Sequence, residues 1–211
     1  MKLSWIFDVI SPFAYLSLKG LSRLPSHVEV EYVPVLFAGL LNHFGQTGNA
    51  EIEAKRQFTY RFVLWRAKSL GIPMRMPPAH PFNPLHALRL IVAAGSNRQA
   101  VETVFNAVFL HGRDMTDPST IAELARHLNV AAPERVLNEA TVKQKLRANT
   151  DWAIARGVFG VPTFVIGDQI FWGHDTLDMA IDYLRDPTQF EDSEMRRIRT
   201  LPVGVVRPQK I

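Results

Sequence analysis

The chain has 211 residues, of which 47% are apolar and 21% charged, with a net charge of +4. That balance suits an ordinary globular protein with room for a sizeable core, built as one unit or as one domain carrying an insertion. There is no cysteine, which excludes structural disulfides, thiolate metal sites and protein-thiol redox chemistry.

The mild positive charge favours anionic small molecules over nucleic acid, for which no basic-aromatic motif is present. No apolar run approaches the length that spans a bilayer. The N-terminal apolar stretch is too short for a signal sequence and is cut off by Asp8, so a cytoplasmic protein with no membrane partner is expected.

Residues 5–16, Trp-Ile-Phe-Asp-Val-Ile-Ser-Pro-Phe-Ala-Tyr-Leu, are the stretch around which the rest of the chain is organised. The apolar, β-branched and aromatic start reads as a buried strand, broken at Ser11-Pro12. Serine is a favoured N-cap, and proline at the first helical position has its φ preset and no N–H to leave unpaired. A hydroxyl therefore sits where a strand hands over to a helix, among unpaired N–H donors and at the positive end of the helix dipole. Taken alone, Ser11 reads as a cap.

Val28 to Val35 alternates cleanly and predicts a second strand parallel to the first, so the opening is a βαβ unit. Residues 36–50, with three glycines, read as a loop around a short turn of helix. Residues 51–70 predict a helix in which Phe58, Phe62 and Trp65 line one face, expected to be packing rather than a site, while Arg61 and Arg66 are expected in solvent, with a basic lid over an anionic site as the alternative. Residues 71–81 form a proline-rich connector that cannot be helical. Asn83-Pro84 repeats the cap-and-proline device before a helix from Leu85.

Further helices are predicted at 98–110, from Asp117 to about Asn129, from Pro133, and from Thr141 to Arg156, where Gly157 is a suitable terminator. The pattern then returns to strand at Gly157 to Gly167, with a hairpin partner at 168–172 across a Gly-Asp turn. Residues 173–176 read as the cap of a last helix, 177–184, with Asp175 as its N-cap. The tail from Arg185 has little apolar periodicity and reads as an extended, partly disordered arm.

Gly160-Val161-Pro162-Thr163 stands immediately ahead of a strand. A cis Val161–Pro162 bond would turn the N–H and C=O of Val161 outward, ready to pair with a peptide-like ligand; a trans proline opening the strand is the plainer alternative. The seven histidines include no His-x-x-x-His pair and no evident ligand cluster, so no metal is expected. Ser11 lacks the Gly-x-Ser-x-Gly elbow of an acyl hydrolase.

The strand–Ser-Pro–helix opening, the Gly-Val-Pro-Thr segment and the helical stretch between them resemble the DsbA-like thioredoxin-fold proteins. Within these, Phe7-Asp8-x-x-Ser11-Pro12-Phe13-x-Tyr15-Leu16, residues 157–165 and Phe171-Trp-Gly-His-Asp175 are similar to 2-hydroxychromene-2-carboxylate isomerases and kappa-class glutathione transferases. The resemblance implies an α/β fold: a thioredoxin-like four-stranded mixed sheet with a large all-helical insertion. Residues 1–36 and 141–186 would form the thioredoxin-like domain, 50–140 the inserted helical domain, and 187–211 a C-terminal arm.

It also implies glutathione as cofactor. Ser11 would donate a hydrogen bond to the glutathione thiolate, Val161 and Pro162 would receive its cysteinyl backbone, and His174 and Asp175 its γ-glutamyl end. Asn49 and Lys55 match family positions that meet the rest of the tripeptide, although prolines usual between them are absent. Asn83 falls near a family position lining the substrate pocket, where an N-cap explains it nearly as well. Phe13 replaces a tyrosine usual after Ser-Pro, which removes one hydroxyl.

The implied reaction is cis–trans interconversion of 2-hydroxychromene-2-carboxylate with trans-o-hydroxybenzylidenepyruvate through a transient glutathione adduct. A kappa-like transferase or peroxidase and a non-catalytic binding module are the alternatives. Related folds often pair, which makes a homodimer compatible with the resemblance.

Overall fold

A computed structural model describes residues 1–205, so the last part of the expected arm lies outside the described residues. Strand β1 (Lys2–Phe7) leads into helix α1 (Pro12–Gly20) and strand β2 (Glu29–Pro34). Helices α2 (Phe37–His43), α3 (Glu53–Ser69), α4 (Leu85–Ala93), α5 (Arg98–Phe109), α6 (Pro118–His127) and α7 (Pro133–Val136) come next. The chain returns through α8 (Ala140–Ala155), β3 (Thr163–Ile166), β4 (Gln169–Trp172) and α9 (Leu177–Arg185), and ends in a short α10 (Ser193–Ile198).

The four strands form one mixed sheet in the order β2-β1-β3-β4. β1 is parallel to β2 and antiparallel to β3, with Trp5 opposite Phe164 and Ile6 opposite Thr163. β3 and β4 are joined by the two-residue turn Gly167-Asp168, where Gly167 takes φ +59. A positive φ is what such a hairpin turn demands, and glycine supplies it without strain.

Alternation along β1 splits the core. Leu3, Trp5 and Phe7 are buried on one face with α1, α5 and α9, while Ile6 joins Val33, Val161 and Val165 on the other, against Leu40 and Ala153. On the second face α8 is tied to the end of β2 by two bonds. Asn149 Nδ2 donates to the Pro34 carbonyl at 3.0 Å, and Thr150 Oγ1 accepts from Leu36 N–H at 3.0 Å.

The helical segment between the halves has no separate core. Val63, Ala87, Leu88, Phe105 and Phe109 belong to the same buried cluster as Trp5, Phe7 and Tyr15. Phe105 is central to it, with ring centroids 6.0 Å from Trp5, 5.7 Å from Phe7 and 6.4 Å from Phe109.

Three expectations need correction. The 36–50 loop holds a seven-residue helix, α2, which buries Leu40 and Leu41. The stripe Phe58, Phe62, Trp65 is not core packing: Phe58 and Trp65 are 67% and 60% exposed, and Val63 and Ala67 are the buried residues of α3. Helix α3 rests on the protein along one narrow strip, and spacing alone does not say which side of the helix that strip occupies.

The tail is ordered as far as α10. Phe190 packs edge-on against Phe171 and Tyr183, which supplies an apolar anchor that periodicity does not reveal. Among the described residues no helix is long and apolar enough to cross a membrane.

Because sheet and insertion share one core, thermal unfolding should be a single transition. Phe105→Ala should lower stability by about 3–5 kcal/mol and shift that transition as a whole. A calorimetric trace that splits into two peaks would contradict the shared core.

Candidate functional site

The site forms where β1 ends beside the start of β3. After Phe7 the chain makes a turn over Asp8–Ser11, closed by Ser11 N–H donating to the Asp8 carbonyl at 3.0 Å. Ser11 then caps α1, its Oγ accepting from Ala14 N–H at 3.3 Å. The hydroxyl also lies 3.5 Å from the Val161 carbonyl oxygen, a long and weak contact across 150 residues of chain. The Val161–Pro162 bond is cis. Among the described residues, the N–H groups of Phe13 and Val161 have no hydrogen-bond partner. A nearly buried hydroxyl, two unpaired backbone donors and the positive end of α1 thus share one spot, an arrangement suited to an anion attached to a peptide.

Phe13 and His174 form one wall. Their rings stack with centroids 5.2 Å apart, and Phe62 of α3 meets Phe13 at 6.1 Å. The His174 side chain is 9% exposed, its Nδ1 lies 3.8 Å from the Asp175 carboxylate, and its Nε2 is buried with no partner. Burial holds the His174 imidazole below its ordinary range; Asp175 pulls it upward and Arg66 pushes it down. Arg66 is therefore not a purely solvated charge but faces the site from α3.

Asp175 is exposed and is not the N-cap of α9. Thr176 occupies that position, and its hydroxyl donates to the Gly173 carbonyl instead. The intervening turn of 3-10 helix, His174–Thr176, pushes the start of α9 one step beyond Asp175.

The other sequence-predicted positions are not drawn into this cluster by any hydrogen bond. Asn49 lies in a 3-10 turn and Lys55 in the first turn of α3, both exposed and without a side-chain partner among the described residues. Asn83 is exposed and is not the N-cap of α4, a position that Pro84 takes; its Oδ1 accepts from Leu85 N–H at 3.0 Å, a local turn bond two residues on. No group of three or more His, Asp or Glu could hold a metal ion among the described residues.

Sequence reasoning misses Asp8, Tyr60 and His80. Asp8 is fully buried one turn before Ser11, with Oδ1 accepting from Ile10 N–H at 3.0 Å and Oδ2 from Phe37 N–H at 2.8 Å. Burial pushes its carboxyl up to about 7, against the pull of backbone N–H groups of Ile10, Phe37 and Val9. His80 reaches Ile10 from the proline-rich connector, held in turn by Tyr60 of α3. An acid ending a buried strand and a lone histidine among prolines are the only signals in the sequence.

Comparisons with known proteins agree with this geometry. The chain belongs to the DsbA-like thioredoxin domain family, whose model matches residues 2–185. Within it, the chain is 30% identical over 192 residues to a 2-hydroxychromene-2-carboxylate isomerase of Pseudomonas putida, covering 85% of this chain and 92% of that one. It is 29% identical over 205 residues to glutathione S-transferase kappa 2 of Caenorhabditis elegans, covering 87% and 91%. A solved 2-hydroxychromene-2-carboxylate isomerase superposes with a TM-score of 0.80 at 28% identity, over 91% of this chain and 98% of that one. The four-stranded mixed sheet with its helical insertion is thus the fold of that isomerase.

The buried acid gives a pH test. With a folded-state value near 7 against 3.8 for a free carboxyl, Asp8 contributes stability that is complete below about pH 4 and lost as pH rises through 7. The full span is on the order of 4 kcal/mol. Wild type should therefore lose stability relative to Asp8→Asn as pH rises from 4 to 8, measured by denaturant titration. A pH-independent difference between the two would refute the raised value.

Proposed function

We propose that the chain is a glutathione-dependent isomerase of the 2-hydroxychromene-2-carboxylate type, acting on an aromatic carboxylate. The observation that carries this reading is the convergence of the Ser11 hydroxyl, the Phe13 N–H and the Val161 peptide at the head of α1. Glutathione suits that set: its anionic sulfur matches the helix terminus, and its cysteinyl backbone matches the unpaired Val161 N–H and the adjacent carbonyl. When bound, glutathione supplies a sulfur nucleophile for reversible addition to an unsaturated carbon.

Ser11 keeps its proton throughout and directs it at the sulfur, exchanging the weak contact to the Val161 carbonyl for a charge-assisted bond. Together with the helix dipole, this favours thiolate over thiol; each unit of pKa depression is worth about 1.4 kcal/mol and up to tenfold more thiolate. Pro12 leaves no N–H to compete at the first helical position. His174 and Asp175 receive the γ-glutamyl end, with the Asp175 carboxylate pairing to the α-ammonium. Lys55, with Asn49, meets a carboxylate of the tripeptide. Phe13 and Phe62 offer apolar faces to the substrate ring, and Arg66 a charge for its carboxylate.

A conjugating transferase of kappa type would use the same donors. The solvent-open aromatic surface of Phe58 and Trp65 beside Phe62 favours it where the acceptor is larger and apolar.

The test is the absorbance change of hydroxychromene carboxylate isomerisation, run with and without glutathione. Turnover should require glutathione. Ser11→Ala should lower kcat/KM by about ten- to a hundredfold, matching one to two units of lost thiolate stabilisation. Ser11→Asp retains a capping acceptor and should melt close to wild type, yet lose activity because a carboxylate repels the thiolate. Glutathione-independent turnover, or full activity in Ser11→Ala, would sink the reading; conjugation of an aromatic electrophile without isomerisation would favour the transferase.

A further inference from the structure

The peptide unit joining Ile10 to Ser11 is held at both ends. Its N–H donates to the Asp8 carbonyl at 3.0 Å, and its carbonyl oxygen lies 2.7 Å from His80 Nε2, seventy residues along the chain. A carbonyl only accepts, so Nε2 carries the proton. Burial favours the neutral ring, which leaves Nδ1 as an acceptor for the Tyr60 hydroxyl at 2.8 Å. The hydroxyl has one proton, which it shares between Nδ1 and the His80 carbonyl at 2.6 Å, and the Tyr60 and Phe82 rings stand edge-on to the imidazole. The ring is thus fixed in tautomer and in orientation.

The Ile10 carbonyl needs such a partner. Helix α1 does not serve it, because Pro12 has no N–H and the Ala14 N–H is taken by Ser11. A peptide unit is planar, so pinning its N–H and its C=O leaves little freedom to the Cα that comes after it. That Cα belongs to Ser11.

We propose that His80 and Tyr60 are positioning residues for Ser11, through which the helical insertion sets the direction of the Ser11 hydroxyl. This role deepens the glutathione reading and rests on it for its kinetic consequence. Neither residue touches the reacting atoms. A purely structural alternative exists, in which the pair only anchors the connector over residues 71–84.

Three variants separate these. His80→Leu removes the donor to Ile10, His80→Gln restores one, and Tyr60→Phe keeps the ring while releasing the imidazole. Two readouts are needed: the pKa of glutathione bound to each protein, from thiolate absorbance against pH, and amide exchange of the segment carrying Ile10 to Leu16. His80→Leu and Tyr60→Phe should each raise the bound-thiol pKa by about one unit and lower kcat/KM about tenfold near pH 7. KM for glutathione should stay near wild type, His80→Gln should recover most of the loss, and exchange in the segment should accelerate.

Unchanged thiol pKa and unchanged exchange in the segment, with only a lower melting temperature, would overturn the proposal in favour of the anchor. If wild-type protein fails to bind glutathione, the functional reading falls, and the exchange measurement alone decides whether His80 positions Ser11.

Discussion

The site depends on one feature of the sheet, the antiparallel pairing of β1 with β3. Because Ile6 lies opposite Thr163, the chain leaving β1 and the chain entering β3 come off the same end of the sheet. Ser11 and Val161 meet there without any loop having to reach across. The parallel β1–β2 pairing forces α1 to cross back over the sheet, which points its N-terminus at that same end. Strand order alone therefore brings a helix terminus, a hydroxyl and an exposed peptide edge together.

The insertion completes the site and does not merely cover it. Phe105 ties it to Trp5 and Phe7 in the core, Phe62 brings an aromatic ring to Phe13, and Arg66 brings a positive charge to His174. These contacts come from helices that are distant in sequence from both halves of the sheet. On the proposed reading, the sheet supplies the thiolate end and the insertion the acceptor end. Phe13 fits this division, since its ring is shared between His174 on the sheet side and Phe62 on the insertion side.

Much of this is legible in the residues alone. The strand periodicity of 28–35, the Ser-Pro break and the Gly-Asp turn each have a local physical cause, and the strands they mark are present. Ser11 and Val161 can be matched because motifs at both ends of the chain resemble one family. What stays hidden depends on the third dimension. The exposed side of α3 cannot be told from its buried side when aromatic residues lie on one and Val63 and Ala67 on the other. The Tyr60–His80–Ile10 chain joins a helix, a connector and a turn, and no spacing rule links three such places. Phe190 stays hidden because a single anchoring ring has no period.

Three titratable groups around the site, Asp8, His80 and His174, share one direction of bias. Burial pushes Asp8 up to about 7 and holds both His80 and His174 below their ordinary range, so all three are driven toward the uncharged form. A charged carboxylate beneath the head of α1 would oppose an incoming anion and cancel part of the helix dipole. With its carboxyl pushed up to about 7, Asp8 carries only part of that charge near neutral pH and opposes the dipole less than an ordinary carboxylate would. Neutral imidazoles likewise provide no counter-ion that would trap a thiolate as a tight ion pair. Arg66 adds a positive charge at the insertion side of His174, where it biases the site without a hydrogen bond to Ser11. On the proposed reading, a hydroxyl, a dipole and an off-centre cation would favour a thiolate without trapping it, which suits a sulfur that must both add and leave.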